Sequence, residues 1–196
     1  MAAAMKFTPS YMGTHHMVNS DVFEPQRTNN FEIQFPNLGT LTSAQGGMRF
    51  ENPGESITLS VKSVGDLAQN IDSIAVHYGN NAIKFAGKPT LNDISIQIND
   101  FIGMHTERIL EAWSSLVYNK YTQKIGRATS YKTDAYLLEY APDGTNVKAW
   151  KLEGCWPGTI TYGGYNQENA STREISLTLN VDFAFALDYT STSKKK

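Results

Sequence analysis

The most constraining feature of this sequence is a strict alternation of apolar and polar side chains over residues 173–183. The apolar positions are Ile175, Leu177, Leu179, Val181 and Phe183, and the polar positions between them are Ser176, Thr178, Asn180 and Asp182. Side chains of a strand point to opposite faces in turn, so a period of two predicts a strand with one buried and one polar face. The surroundings of that polar face bear on nearly every functional inference below.

Several other segments also have the pattern of strands. Residues 57–64 and 94–99 alternate in the same way, and Phe31, Ile33 and Phe35 share one face of a strand that Pro36 ends. Residues 74–85 form a predicted hairpin whose tip, Gly-Asn-Asn at 79–81, tolerates positive φ. A second predicted hairpin surrounds the Pro-Asp-Gly turn at 142–144 and ends at the Trp-Pro pair of 156–157.

The period changes from two to that of a helix after residue 105. One helical stripe contains the apolar side chains Ile109, Leu110, Trp113, Leu116 and Val117. Thr106 is the predicted N-cap, with Glu107 in the first turn. We therefore predict a mainly β fold of two packed antiparallel sheets with one flanking α-helix that covers the core.

Length and composition limit the organisation of the chain. Its 196 residues suit one domain, which we place at residues 27–188, between an aperiodic arm at 1–26 and a C-terminal tail at 189–196. A net charge of −2 disfavours general nucleic-acid binding. The single cysteine, Cys155, excludes an internal disulfide and is expected in the core. With no apolar run near the roughly 20 residues of a membrane helix, and no signal peptide, we expect no membrane anchor.

The sequence has no motif that predicts catalysis, a metal or a cofactor. Nucleophile elbows, phosphate-binding glycine loops and zinc-protease signatures are absent. The neighbours His15 and His16 would point to opposite sides of an extended chain and lack a nearby ligand, so no metal site is expected. Residues 119–133, with interleaved lysines and tyrosines, are expected to form a loop that touches other subunits rather than a nucleic-acid site. We predict that the protein is not an enzyme.

The polar faces of three predicted strands are built from small neutral polar groups and aspartate. They comprise Thr58 and Ser60, then Asp93, Ser95, Gln97 and Asn99, and finally Ser176, Thr178, Asn180 and Asp182. This surface is either an ordinary solvated sheet face or the wall of a channel. Because every basic side chain adds salt-dependent affinity for phosphate, a wall that passes DNA without holding it should lack them. Lys62 is the exception, which a subunit junction or an acidic partner would explain.

The order of these elements carries a resemblance to a known family. The apolar–polar run that ends in Gly-Cys-Trp-Pro at 154–157, the polar loop after it and the strand that ends near Leu-Asp-Tyr at 187–189 resemble the C-terminal part of tail-tube proteins of contractile-tailed bacteriophages. The hairpin at 74–87, the alternating strand at 94–99 and the Trp-containing helix are similar to those that precede it in the family. The resemblance spans about residues 27–188.

The resemblance implies a role in assembly. Six subunits would form a ring whose inner sheets join into one β-barrel, and rings would stack into the tube of the virion tail, assembled in the host cytoplasm. The hairpin tip would reach the neighbouring ring through His77, Tyr78, Gly79, Asn80 and Asn81. The implied partners are further copies of the chain, the tail sheath protein, the tape-measure protein and the baseplate proteins. DNA would pass through during ejection without specific binding.

Two other interpretations remain open at the level of sequence. The tube of a phage-derived contractile injection or secretion system would have the same fold, with a bore suited to protein cargo. A carbohydrate-binding β-sandwich would use Trp150, Trp156 and Tyr162 as a stacking platform, although we expect the two tryptophans to serve the core.

Overall fold

The computed structural model describes residues 25–42, 52–168 and 170–187. Its elements in chain order are β1 (Phe31–Gln34), α1 (Leu38–Thr42), α2 (Pro53–Ser60), β2 (Val61–Val64), β3 (Gln69–Tyr78), β4 (Asn81–Leu91), β5 (Ile94–Asn99), α3 (Thr106–Val117), β6 (Tyr118–Asn119), β7 (Lys124–Ile125), α4 (Ala128–Tyr131), β8 (Thr133–Tyr140), β9 (Asn146–Tyr162), β10 (Glu174–Asn180) and β11 (Phe183–Leu187). The predicted mainly β, antiparallel fold is confirmed, and three short helices accompany the predicted long one. None of the helices in the described ranges is both long and apolar enough to cross a membrane.

Strand β9 organises the main sheet, whose order is β1-β8-β9-β10-β5-β2 with β11 also paired to β9. Its first half lies between β8 and β11, and its second half pairs with β10 alone. We call β1, β8, β11 and the first half of β9 half-sheet A. The second half of β9 with β10, β5 and β2 is half-sheet B. The two predicted sheets are therefore joined through one strand.

The passage from one half-sheet to the other lies at Gly154. This residue has φ of +70°, a conformation that favours glycine, and a Cβ placed there would lie 2.2 Å from Oδ2 of Asp182. Asp182 lies in the break between β10 and β11 and pairs with Lys132. The break corrects the prediction of one continuous closing strand.

The prediction that Trp156 and Pro157 end the second hairpin was also wrong. Strand β9 continues to Tyr162, and Pro157 lies opposite Leu179, next to a register shift in β10. Proline lacks the N–H that a ladder needs, and a local irregularity is where a strand tolerates it.

The core lies between the two half-sheets and beneath α3. Trp113, at its centre, is fully buried. Its ring packs edge to face on that of Phe35, with ring centres 5.7 Å apart, and its indole N–H donates to the carbonyl of Tyr131 at 2.8 Å. The predicted helix and its apolar stripe are confirmed, but Thr106 is not the N-cap. His105 has that position with φ of +52°, while Thr106 is buried with its hydroxyl 3.2 Å from that of Ser60.

The predicted strand at residues 57–64 is wrong over its first half, which completes α2. Pro53 occupies the first turn, where its missing N–H is not needed, and Ile57 and Ser60 are buried one turn apart. Thr58 donates its hydroxyl proton to the carbonyl of Ile33 at 2.8 Å or to that of Gly54 at 2.9 Å. Thr58 and Ser60 are therefore helical residues that anchor α2, and neither belongs to a sheet face.

The predicted first hairpin is confirmed and is longer than expected. Strands β3 and β4 pair with each other from Gln69 opposite Leu91 to Tyr78 opposite Asn81, and Gly79 at the tip has φ of +59°. Nearly every residue of the hairpin is exposed, so it projects from the main sheet as a ribbon. The predicted tail lies outside the described residues, as does the arm except for its last two residues.

Candidate channel and assembly surfaces

The polar face of half-sheet B is built from cross-strand rows of small neutral side chains. Directly opposed in β5, β10 and β9 are Gln97, Ser176 and Thr161 in one row and Ser95, Thr178 and Thr159 in the next. The intervening apolar residues of β5 and β10 are fully buried. Gln97 donates to the hydroxyl of Ser176 at 3.0 Å. The structure thus brings the predicted polar positions of these two strands onto one surface.

The acidic and amide residues lie at the ends of this face. When the amide of Asn180 is oriented with its nitrogen toward Asp93, it donates to both carboxylate oxygens at 2.9 Å. Asn99 is opposite Glu174, and Glu174 pairs with Lys62. Of the two explanations offered for Lys62, the structure supplies the acidic partner.

Three polar residues of this face were missed from sequence. Thr159 and Thr161 belong to the second half of β9, and Ser63 of β2 lies opposite Gln97. The alternation of Thr159, Ile160 and Thr161 could have indicated a strand. The Trp-Pro pair just before these residues was interpreted as the end of the strand, so the signal was not used. Conversely, Thr58 and Ser60 do not belong to this polar face, because both lie in helix α2.

Arg173, just before β10, is held toward α3 by ion pairs at the margin of half-sheet B. Nη1 of Arg173 donates to Glu107 Oε2 at 2.7 Å and to Asp100 Oδ2 at 2.6 Å, and its guanidinium lies 4.9 Å from the centre of the Tyr165 ring. The hydrogen bond to Glu107, followed by that to Asp100, raises the pKa of Arg173. This cluster ties the start of β10 to α3 and to the loop before β10.

Half-sheet B ends in two strands with an unpaired edge. Within the described residues, β2 pairs only with β5, and β9 after Cys155 pairs only with β10. Unpaired edges of a sheet present free N–H and C=O groups to other chains. The polar face is therefore bounded on both sides by strands that can accept a neighbour.

The predicted inter-ring residues lie together at the tip of the β3–β4 hairpin. Tyr78 is 80% exposed, and His77 points to the opposite face of the ribbon from Tyr78. Both are free to contact another molecule.

The aromatic residues considered for a sugar platform are spread along β9. Trp150 is in half-sheet A opposite Leu137, while Tyr162 is at the far end of half-sheet B. Trp156 lies between them, half-buried against Tyr131 with ring centres 5.9 Å apart. They do not form one stacking surface.

The described residues contain no group of three or more His, Cys, Asp or Glu side chains that could hold a metal. His15 and His16 lie outside them. Cys155 is fully buried, as predicted, and burial raises the pKa of its thiol to about 12, so it stays protonated and unreactive.

The chain shares its fold with proteins of contractile injection machines. Two of the solved structures that share this fold each match at a TM-score of 0.60. One is the sheath–tube complex of the PVC extracellular contractile injection system, which is 17% identical and covers 89% of this chain and 97% of the other. The second is the tube-terminating cap of the anti-feeding prophage, which is 16% identical and covers 84% of this chain and 91% of the other.

The sequence is similar to the tail tube protein gp19 of Enterobacteria phage T4 and to gp19 of phage T6. Each is 25% identical to this chain over 138 residues, which cover 69% of this chain and 82% of gp19. No family model matches the chain. The resemblance inferred from sequence to the tail-tube proteins of contractile-tailed phages is confirmed, and the relatives are structural proteins rather than enzymes.

Proposed function

We propose that this protein is the tail tube subunit of a contractile phage tail, and that it forms hexameric rings stacked into a conduit for DNA. The observation that carries the proposal is the four-stranded half-sheet B, which has a neutral polar face on one side, the core on the other, and an unpaired strand at each edge. Such a unit is incomplete as a monomer. A closed ring of copies removes both edges at once.

Closure follows from pairing the β2 edge of one copy with the second half of β9 in the next. The two edges are different, so the contact is head to tail, and a head-to-tail contact closes into a ring when its rotation divides the circle. The joined half-sheets form a barrel whose wall presents the rows of Ser95, Gln97, Ser176 and Thr178, together with Thr159 and Thr161. The similarity to gp19, a tail tube protein, supports the assembly of copies into a tube.

The chemistry of this wall suits the passage of a duplex. Hydroxyl and amide groups keep it wetted, and Asp93 at its end adds a repulsive charge. Lys62, at the margin of this face, is paired with Glu174, so the cross-strand rows of the described half-sheet offer phosphate no free cation. The wall therefore lowers friction by offering the DNA nothing to bind.

The partners follow from the same role. The tube would lie inside a sheath, end at a baseplate and enclose a tape-measure protein during assembly in the virion tail. The fold shared with the PVC injection system favours an alternative at this level, in which the conduit carries protein cargo instead of DNA. The neutral polar wall suits the DNA conduit better.

Electron microscopy of the concentrated protein tests the proposal. We expect open-centred rings or stacked tubes, with subunit number given by symmetry averaging. A matched pair of variants sharpens the test: Thr161→Pro on the free edge of β9 should block ring closure, and Thr145→Pro in the exposed turn before β9 should leave it intact. Rings that form equally well with Thr161→Pro would contradict the closure described here.

A further inference from the structure

Half-sheet A has an apolar surface on the side away from the core that no described residue covers. Ala184 packs against the core, so Phe183 and Phe185 on either side of it point outward. Their rings stack with centres 6.2 Å apart, and the two residues are 63% and 48% exposed. Leu187, two residues further along β11, lies opposite Ala149 and continues the row. We call the surface of Phe183, Phe185 and Leu187 the β11 face.

The charges beside the β11 face are already paired. Lys151, opposite Phe185, contacts Glu153 at 2.5 Å and Asp134 at 3.5 Å. A cover made of apolar side chains therefore buries no charge without its partner, which is the usual obstacle to such a contact. The β11 face thus suits an apolar occupant with few charges of its own.

The size of the β11 face argues against an independent protein partner. A phenylalanine side chain has about 200 Å² of surface, so the two rings together expose on the order of 200 Å², to which Leu187 adds a smaller area. A stable interface takes about 800 Å² from each partner. A segment joined covalently to the same subunit needs less contact, because its effective concentration at the surface is on the order of millimolar.

The first 24 residues of the arm join the described part of the chain close to this surface. Gln26 donates its side-chain amide to the carbonyl of Tyr140 at 3.0 Å, which places it at the end of β8. Leu138, two residues earlier in β8, is opposite Ala149, and Ala149 is opposite Leu187. With strands about 4.8 Å apart and a rise of about 3.4 Å per residue, Gln26 lies on the order of 12 Å from Leu187.

The same 24 residues have the composition that the β11 face requires. Only three of them are charged, Lys6, Asp21 and Glu24. Four of the six methionines of the chain are among them, and methionine is flexible and makes favourable contacts between its sulfur and aromatic rings. Residues 188–196 follow β11 directly, but their one large apolar side chain is a tyrosine and three of the nine residues are lysines. The arm is therefore the better match of the two. Its large apolar residues are Met1, Met5, Phe7, Tyr11, Met12, Met17, Val18, Val22 and Phe23.

We propose that residues 1–24 of the arm cover the β11 face of their own subunit. At an extended rise of about 3.3 Å per residue, 24 residues reach on the order of 80 Å, several times the distance to be crossed. The contact uses neither the edges of half-sheet B nor the β3–β4 hairpin, so the inference goes beyond the proposed tube and applies to the isolated subunit. A molecule that approaches this side of the subunit meets the arm instead of the two phenylalanines.

Thiol labelling of the full chain in dilute solution tests the cover. Leu187→Cys places a thiol at the rim of the β11 face, while the native Cys155 is buried and does not compete. The test variant adds three carboxylates at apolar positions of the arm, and the matched control adds three at polar positions. We expect a neutral maleimide to label the thiol at least tenfold faster in the test variant. The substitutions are Met5→Asp, Met12→Asp and Met17→Asp in the test variant, and Thr8→Asp, Ser10→Asp and Asn19→Asp in the control.

Two results of this labelling would overturn the proposal. One is an equal rate in the two variants, because the apolar side chains of the arm would then have no part in protecting the thiol. The other is protection of the control that strengthens with protein concentration, because the cover would then come from a second copy.

Photo-cross-linking gives an independent measure. Benzoylphenylalanine in place of Phe185 bonds on illumination to groups in contact with it, and mass spectrometry of the monomer locates the products. The control has the same group in place of Phe85 on the hairpin, which is 56% exposed against 48% for Phe185. We expect adducts with residues 1–24 at a yield at least tenfold higher from position 185 than from position 85. Adducts confined to residues 25–187, or equal yields from both positions, would contradict the cover. Both experiments use unassembled protein, so a failure to form rings would count against the proposed function alone.

Discussion

If half-sheet B lines the proposed DNA conduit, a positive charge on its polar face should retard the passage of DNA, and the structure ranks the positions. Thr178 is opposite Ser95 in β5 and Thr159 in β9, with no carboxylate among these cross-strand neighbours. A lysine there would meet phosphate unopposed. Asn180 contacts the Asp93 carboxylate at 2.9 Å, so a lysine at that position would be largely neutralised. Thr178→Lys and Ser95→Lys should therefore act strongly, and Asn180→Lys weakly.

The magnitude follows from counterion release. Each phosphate neutralised adds about 0.9 to the slope of log affinity against log salt, so raising salt from about 50 to about 200 mM weakens one contact roughly 3.5-fold. In a hexameric ring one substitution supplies a contact from every subunit. If all of them engage the duplex, the combined effect over that salt range is on the order of a thousandfold.

The assay is the rate of genome release from assembled particles at the two salt concentrations. We expect Thr178→Lys to slow release strongly at low salt and to recover at high salt, with an unchanged melting temperature. Thr178→Gln, of similar size but neutral, serves as the control and should behave like the original protein. Equal release by the Lys and Gln variants at low salt would refute the assignment of this face to the channel wall.

Three further predictions concern folding. Trp113→Phe removes the indole N–H and leaves the partly buried carbonyl of Tyr131 without its donor, which should destabilise the fold by about 1 kcal/mol in denaturant titrations; an unchanged midpoint would contradict that role. Cys155 should resist thiol reagents until the protein unfolds, and because its pKa is raised to about 12 from 9.0, stability should fall as pH rises through that window; rapid labelling of native protein would contradict this. Gly154→Ala should destabilise by more than 1 kcal/mol, owing to its positive φ and the contact with Asp182, whereas Gly164→Ala, in open space, should have little effect in the same titrations.

The sequence was most informative where burial imposes a simple period. Strands β5 and β10 and helix α3 were identified because each has one side in the core. The predicted polar residues within the two strands share one face, whereas Asp182 lies in the break after β10 and pairs with Lys132. The error at residues 57–60 has a physical cause. Ile57 and Leu59 alternate as in a strand, yet Pro53 favours a helix start, and the deciding contact of Thr58 with the Ile33 carbonyl joins residues distant in sequence.

The remaining differences also arise from contacts between distant residues. Pro157 usually signals the end of a strand, and its place inside β9 depends on an irregularity in β10. The break at Asp182 depends on Lys132 and on the close approach of Gly154, neither of which a local pattern reveals. The apolar pair of Phe183 and Phe185 appeared as the continuation of one strand, so the outward exposure of both side chains was not anticipated.

The sharing of β9 between both half-sheets has a mechanical consequence. A load applied to half-sheet A along the strand direction reaches half-sheet B through the covalent backbone of one 17-residue strand, bordered by the ladders to β8, β10 and β11. When force acts along the strands, the hydrogen bonds of a ladder are loaded in shear and must break together. When force opens a ladder from one end, they break one after another. The two half-sheets should therefore move as one stiff body under force along β9.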